Sequence, residues 1–578
     1  VPISNGARRS AAARLPRPVA DLLILLFTGA LVAGVVGLAA RWEAPIRPRV
    51  EIDLSAAALP GYTLLSLSRG LAAYVLSLLF TLVYGTVAAH SPRAERIMIP
   101  LLDIGQGIPV LGFLPGLVLG MVALFPRSNV GLELACILMI FTGQVWNLTF
   151  SFYGSLRGVP NELHEVARLH RFSWFRSFRV VEVSSAVIGL VWNSMMSMAG
   201  GWFFLTVNEA FTLGDRDFRL PGVGSYMAEA LARGNGWAAT RAVVAMILMI
   251  VAVDQLLWRP LVVWSQRFRQ DETSSGAAPP HSFVLDLLSR STLLRRLRRA
   301  RRRKPPRSAL PPAPADPAAA ARRARNAQQF RHLASILAAV IFGAAGLVAI
   351  VHLLRLLLRV PAAEWLLVGE SLGATFLRAA GALVLATLWT VPVGIVLGRS
   401  PRWSRRMQPV IQIVASFPAP MLFPLVTSAL LVLGLPFSAI ASVLMLLGAQ
   451  WYVLFNVLAG ASAIPSDLEE ASALYRISRR ERWAKLFLPS IFPFLVTGLI
   501  TAAGGAWNAS IVAETLSFRG RTLETFGLGS LITRATHEGD FPLLAAGVLT
   551  MSLALVLLNR FVWRRLYALA ESRFSLNR

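Results

Sequence analysis

The feature that most constrains this chain is the recurrence of long apolar runs from one end to the other. A bilayer core of roughly 30 Å is crossed by a helix of about 20 apolar residues, and inside it only a helix satisfies the backbone at such lengths. Six runs fall in the first half, near 19–40, 67–89, 107–125, 130–153, 185–206 and 239–262. Six more fall near 333–354, 376–397, 416–433, 437–460, 490–512 and 543–563. The expectation is an all-α polytopic membrane protein of about 12 spans. Only 15% of residues are charged, against about 25% in soluble domains, which excludes an ordinary soluble enzyme. The first run follows Arg8, Arg9, Arg14 and Arg17; it is long for a cleaved leader and reads as an uncleaved anchor.

The net charge of +27 has to be located before it is interpreted. Arginines gather at 93–96, 157–179, 265–332, 399–406, 476–485 and 560–578, on what would be one side of the membrane. Loops near 41–62, 207–238, 359–370 and 513–541 balance arginines with acids such as Glu43, Asp53, Asp215, Asp217, Glu524 and Asp540. The bias of basic residues toward the cytoplasm then places both termini inside. The basic, Pro/Ala-rich stretch 265–332 reads as a cytoplasmic tether between domains 1–264 and 333–578. Attraction to anionic headgroups explains its arginines better than RNA binding, because no aromatic residues are interleaved through the arginine run at 295–304 for base stacking.

The two domains repeat each other. Pro100, Pro109, Pro115 and Arg69 return 309 positions later as Pro409, Pro418, Pro424 and Arg378. Trp146, Pro160, Glu165, Gly200, Trp202, Glu209, Gly222 and Gly224 return 305 positions later as Trp451, Pro465, Glu470, Gly505, Trp507, Glu514, Gly527 and Gly529. Six spans per copy give both copies one orientation, so the expected architecture is two tandem six-helix repeats in parallel.

The loop after the fourth span of each copy carries the most specific pattern. Ser466 with Glu469, and Ser478 with Glu481, have the spacing of capping boxes, and Asn161 is a good helix cap in the first copy. A short helix, a turn near 476–478 and a second short helix are predicted, with a related arrangement over 161–176. This loop resembles the signature loop of permease subunits of ATP-binding cassette importers, which begins Glu-Ala-Ala, has Gly at the seventh position and ends Leu-Pro. Glu470, Ala471 and Ser472 match that start and Leu488-Pro489 that end; Glu165, Val166 and Ala167 match the start in the first copy, which ends Val183-Ser184. The seventh position holds Arg476 and Arg171 in place of Gly. Pro109 to Pro115, Pro418 to Pro424, Ile511-Val-Ala-Glu-Thr515 and Gly527-Leu-Gly529 extend the likeness to the nitrate/sulfonate/taurine-type permeases, in a duplicated, fused form.

The resemblance implies an inner-membrane permease of a bacterial importer, forming the path for a small solute such as an oxyanion of the nitrate, sulfonate, taurine or bicarbonate kind. It implies two ATPase subunits, docked through loops containing Asn161, Glu165, Ala167, Arg168, Arg171, Ser173, Ser466, Glu469, Glu470, Ala471, Arg476, Ser478 and Glu481. It also implies a separate extracytoplasmic solute-binding protein. The only lysines, Lys304 and Lys485, do not stand in a Gly-x-x-x-x-Gly-Lys-Ser/Thr phosphate loop, so ATP and Mg are expected on the partner ATPases and no enzymatic centre or cofactor on this chain. No metal-ligand spacing is present, and the single Cys136 excludes a thiolate cluster. The rival reading is a secondary transporter with parallel repeats, which has no need of two matched docking loops.

Polar residues inside apolar runs either line a pathway or join helices. The pathway candidates are Asn147, Asn193, Gln450 and Asn508, with Trp202 and Trp507 beside small-residue pairs. Arg69 with Glu209, and Arg378 with Glu514, occupy matching outer positions; they either pair within each half or meet an anionic cargo at the mouth.

Overall fold

The structure is a computed structural model, and it describes residues 50–268, 282–290 and 346–574, apart from 214, 215, 519 and 520, together with Leu22, Gly343 and Ala344. The expected anchor at 19–40, most of the tether and much of the run at 333–354 lie outside the described residues; Gly346–Leu357 is a short apolar helix.

In the first copy, α1 (Leu59–His90) leads into α2 (Pro92–Gly107), α3 (Leu114–Leu124), α4 (Val130–Arg157), α5 (Asn161–Leu169), α6 (Val183–Glu209), α7 (Val223–Ala232) and α8 (Gly236–Val253). The second copy repeats the order with α9 (Ala362–Arg399), α10 (Pro401–Ser416), α11 (Ala419–Val432), α12 (Phe437–Ser462), α13 (Ser466–Leu474), α14 (Leu488–Ala513), α15 (Leu528–Glu538) and α16 (Phe541–Leu558). Eight of the described helices are long and apolar enough to cross a membrane. Short antiparallel hairpins follow α6 and α14, pairing 212–213 with 216–217 and 515–518 with 521–524. Each copy packs α4 or α12 between its first long helix and α6 or α14, so the core runs along the middle of the bundle.

The runs at 107–125 and 416–433 each form the second limb of a bent helix pair, after 92–106 and 410–416. Helical segments there meet at 86° in the first copy and 88° in the second. The breaks sit at Ile108-Pro109 and Phe417-Pro418, where the residue before proline is extended (φ −79°, ψ 126° and φ −71°, ψ 129°). Proline drives its predecessor out of the helical region and offers no N–H to continue the ladder. Apolar content alone carries no sign of this bend.

Each copy also contains π-helical turns at matching places: Phe178–Glu182 with Trp483–Phe487, and Asp254–Trp258 with Asn559–Trp563. Such turns widen the helix by one residue and recur at functional sites. The first pair joins the loop after α4 or α12 directly to α6 and α14.

Candidate functional sites: two loops, two buried carboxylates and a cavity between the copies

The two loops are built alike. Helix α5 begins at Asn161 and α13 at Ser466, but Pro160 and Pro465 occupy the cap positions and neither gives a side-chain cap hydrogen bond. The expected caps at Asn161 and Ser466 are therefore displaced by one residue: proline's fixed φ suits it to the helix start. Glu469 leaves its expected box and pairs with Arg399 at the end of α9. The second forms its cap but not the full box: Ser478 Oγ accepts from Glu481 N at 3.3 Å, and the Glu481 carboxylate accepts from the Ser478 hydroxyl at 3.0 Å. Its repeat counterpart, Ser173, accepts from Arg176 N at 3.4 Å.

Both helices end in the same closing motif. Phe172 N donates to Ala167 O and Arg171 N to Arg168 O, each at 2.9 Å; Ile477 N donates to Ser472 O and Arg476 N to Ala473 O, each at 3.0 Å. This pairing satisfies the last carbonyls and requires a left-handed residue between. That residue is Arg171 (φ 49°) and Arg476 (φ 50°), the two non-glycine residues of positive φ among those described. The turn is thus made without glycine, against a strain of roughly 1 kcal/mol per site. Replacing both arginines with glycine is expected to raise the unfolding temperature of the purified chain; an unchanged or lower value would show that the arginine side chains hold the turn by other means.

Ala167 and Ser472 face inward, while Glu165, Arg168, Glu470, Ser173, Ser478 and Glu481 are exposed and Ala471 is half-buried. The matched tips Leu169 and Leu474 are 81% and 82% exposed, an unusual placement for leucine on both copies of one motif. Just beyond, the copies diverge: exposed Trp174 and Phe175 correspond to exposed Arg479 and Arg480.

At the other end of the bundle each copy buries a carboxylate. Glu209 sits where α6 ends and accepts from Arg69 Nη1 at 2.7 Å, Ser66 Oγ at 2.7 Å and Gly224 N at 2.8 Å. Arg69 is fully buried and also bonds both oxygens of Glu133 at 2.6 and 2.7 Å and the Pro221 carbonyl at 2.9 Å. Glu514 repeats the pattern with Arg378 at 2.8 Å, Thr375 at 2.7 Å, Gly529 N at 2.8 Å and Ser530 N at 3.2 Å. Each carboxylate lies at the N-terminus of the next helix, α7 or α15, where free N–H groups and the helix dipole favour negative charge. Gly222 and Gly527 press against the carboxylates themselves, so a Cβ at either would collide with the group it covers. Helix α7 is clamped further by Glu229, which bonds Arg219 at 2.6 Å and Arg233 at 2.5 Å. Partial burial raises the Glu229 carboxyl, but the two guanidinium groups outweigh it and hold it below its usual range.

Between the copies lies a cavity of about 160 Å³. Its wall is aromatic and small-residue: Trp146, Phe203 and Gly200 from the first copy face Trp451, Tyr452 and Gly505 from the second. Asn147 and Asn508 line it; Arg69, Arg378, Glu209, Glu514, Asn193, Gln450, Trp202 and Trp507 do not. The two arginines and two glutamates are taken up by one another. Trp202 is buried at 2% exposure with its ring against Gly70, and Trp507 is buried to the same degree. Asn193 bonds Asn147 at 3.1 Å and Ser151 at 2.7 Å, one layer behind the wall. Asn508 accepts from Val110 N of the opposite copy at 2.8 Å, fastening the bend after Pro109. Glu133 and the wall residues Trp146, Trp451, Gly200 and Gly505 are absent from the sequence-based site. An acid at the start of an apolar run was the available signal for Glu133, and repetition of tryptophan and glycine for the others.

Comparison with known proteins fits this architecture. The chain is 25% identical over 191 residues to nitrate import permease protein NrtB of Leptolyngbya laminosa, an alignment covering 33% of this chain and 65% of that protein. It is 30% identical over 162 residues to NrtB of Synechococcus elongatus, covering 28% and 54% respectively. Taurine transport system permease protein TauC of Escherichia coli is 27% identical over 194 residues, covering 33% and 65%. The chain thus spans less than two thirds of the length of these relatives. The binding-protein-dependent transport system inner membrane component domain matches twice, over 81–257 and 390–575. With both matches falling on the helices that bury the paired carboxylates and flank the cavity, this multi-pass chain belongs to the family of binding-protein-dependent transport system inner membrane components, as a tandem duplication within one polypeptide.

Proposed function

We propose that the chain carries both permease copies of an ATP-driven importer, passing a small oxyanion through the cavity between them. The observation that carries this reading is the duplicated loop, closed by the same motif and presenting Leu169 and Leu474 at matching exposed tips. Two knobs of one shape suit two ATPase subunits, which would bind ATP and Mg and lie on the cytoplasmic side with both termini of this chain. A solute-binding protein would deliver cargo from the opposite side. The oxyanion class rests on the relatives, whose names specify nitrate, bicarbonate and taurine.

The test is co-purification with the ATPase subunits, followed by ATP-dependent uptake in proteoliposomes. Leu169→Asp with Leu474→Asp, or charge reversal at Glu165 with Glu470, is expected to abolish co-elution or to leave ATP hydrolysis without uptake. The single variants in the first loop should be milder, since that loop departs further from the family pattern. Full coupling in both double variants, or uptake that persists without the ATPases, would overturn the proposal.

A further inference from the structure

A second cavity, of about 250 Å³, opens where α2 of the first copy meets α16 and the following π-turn of the second. Glu95 in the first turn of α2 pairs with Arg157 at the end of α4, which sets this part of α2 near the duplicated loops. Pro100, Ile104, Leu555 and Val556 form the apolar part of the lining; Asp103, Asn559, Arg560 and Arg564 form the polar part. A π-turn brings residues five apart together, so Asn559 and Arg564 both reach Asp103, each at 3.0 Å and on a different oxygen. Both carboxylate oxygens are thereby taken. Two arginines against one carboxylate leave the lining with an excess positive charge, and Arg560 pairs with no carboxylate among the described residues. Arg96, exposed one turn before Pro100, adds a cation on the same face of α2. Beside it runs an apolar stripe: Ile97, Leu101 and Ile104 are all exposed at helical spacing, and Ile104 belongs to the cavity wall.

We propose that this cavity binds one anionic phospholipid, with its phosphate on the Arg560 and Arg564 guanidinium groups and an acyl chain along Ile97, Leu101 and Ile104. Guanidinium donors match phosphate oxygens in a planar, charge-assisted fork, and basic pockets between spans hold anionic headgroups. A free phosphate would gain nothing from the apolar stripe, which selects the lipid. The repeat supplies an internal comparison. At the opposite seam Gln412 stands where Asp103 does, Asp254 where Asn559 does and Gln255 where Arg560 does. Arg259, the counterpart of Arg564, bonds Gln255 at 2.9 Å and its charge is balanced by Asp254. The space that Asp254 and Gln412 line there is only about 10 Å³. The chain therefore offers one such site and not two, and the lipid would bridge the copies at the seam where Asp103 already joins them.

The experiment uses the whole chain, purified and delipidated in a neutral detergent. Phosphatidylglycerol or phosphatidylcholine with the same acyl chains is added back, and bound lipid is counted by native mass spectrometry. One phosphatidylglycerol per chain is expected to bind about tenfold tighter than phosphatidylcholine. Arg560→Gln should abolish that preference, and Arg560→Lys should keep part of it. Arg560 is exposed and fastens no other element, so both variants should fold as the unaltered chain does. Arg259→Gln, at the opposite seam, should leave the preference unchanged. Equal affinity for the two lipids in the unaltered chain, or a preference that survives Arg560→Gln, would overturn the assignment. Displacement of the lipid by inorganic phosphate would overturn it too, by marking a site for a free anion.

Discussion

Replacing Arg69 with glutamine is expected to cost about 3–5 kcal/mol of folding stability, because Glu133 and Glu209 are then both left buried without a countercharge. Most of the effect should appear as lost yield of monodisperse protein and a lower unfolding temperature. Arg69→Lys should rescue little, since a lysine ammonium cannot make the two parallel bonds to Glu133 and still reach Glu209. Adding Glu133→Gln to Arg69→Gln should recover part of the loss, as one buried charge is removed. Arg378→Gln is expected to cost clearly less. Its side chain is 13% exposed, and Glu514 keeps Thr375 and two backbone N–H donors. Equal losses in the two copies, or a loss near zero for Arg69, would contradict this ranking.

A single methyl group added at Gly224 should be nearly as damaging. A Cβ there would stand 2.5 Å from the Thr206 carbonyl oxygen and 2.8 Å from its Cα, and backbone cannot turn aside as a side chain can. To accept alanine, α7 must move off α6, taking with it the Gly224 N–H that bonds Glu209. About 3 kcal/mol is expected, the upper part of the range for overpacking. Gly369→Ala is the matched control. It lies exposed within α9 with nothing within 4 Å of the added Cβ, so it should be neutral or stabilising by roughly 0.5–1 kcal/mol. Thermal unfolding of the two variants side by side decides the matter; similar midpoints would refute the close packing of α7 on α6.

Sequence and structure agree most where a pattern is local and repeated. Runs such as 130–153 and 437–460 become α4 and α12 within a few residues, because an uninterrupted apolar stretch of that length has one stable form in a bilayer. The Ser478 cap was legible for the same reason: its partner lies three residues away. The Pro160 and Pro465 caps were not, because two acceptable helix starts stood side by side and side-chain capping was the stronger rule in view. The turn near 476–478 was legible, but the left-handed conformation of Arg171 and Arg476 was not. A left-handed position is signalled by glycine, and here the closing hydrogen bonds impose it on arginine. The cavity was least legible. Asn147 and Asn508 share it with Trp146 and Tyr452 only through packing across hundreds of residues, which no spacing encodes. Glu133 was hidden by the repeat itself, since the second copy has no matching acid and the symmetry that located Glu209 and Glu514 passes over it.

The bond from Val110 to Asn508 crosses between the copies once, with no mirror image. By the repeat, Ala419 and Phe203 stand where Val110 and Asn508 stand, and a phenylalanine ring offers no acceptor of that kind. The two seams of the molecule are therefore mechanically unlike. One is fastened by that bond, worth roughly 1 kcal/mol, and by Asp103 of the first copy, which accepts from Asn559 and pairs with Arg564 of the second, each at 3.0 Å. A motion that parts the copies along that seam must break the Val110–Asn508 bond and the contacts of Asp103, none of which depends on the repeat. Duplication supplied two similar leaves, and side chains that break the repeat fasten them unequally.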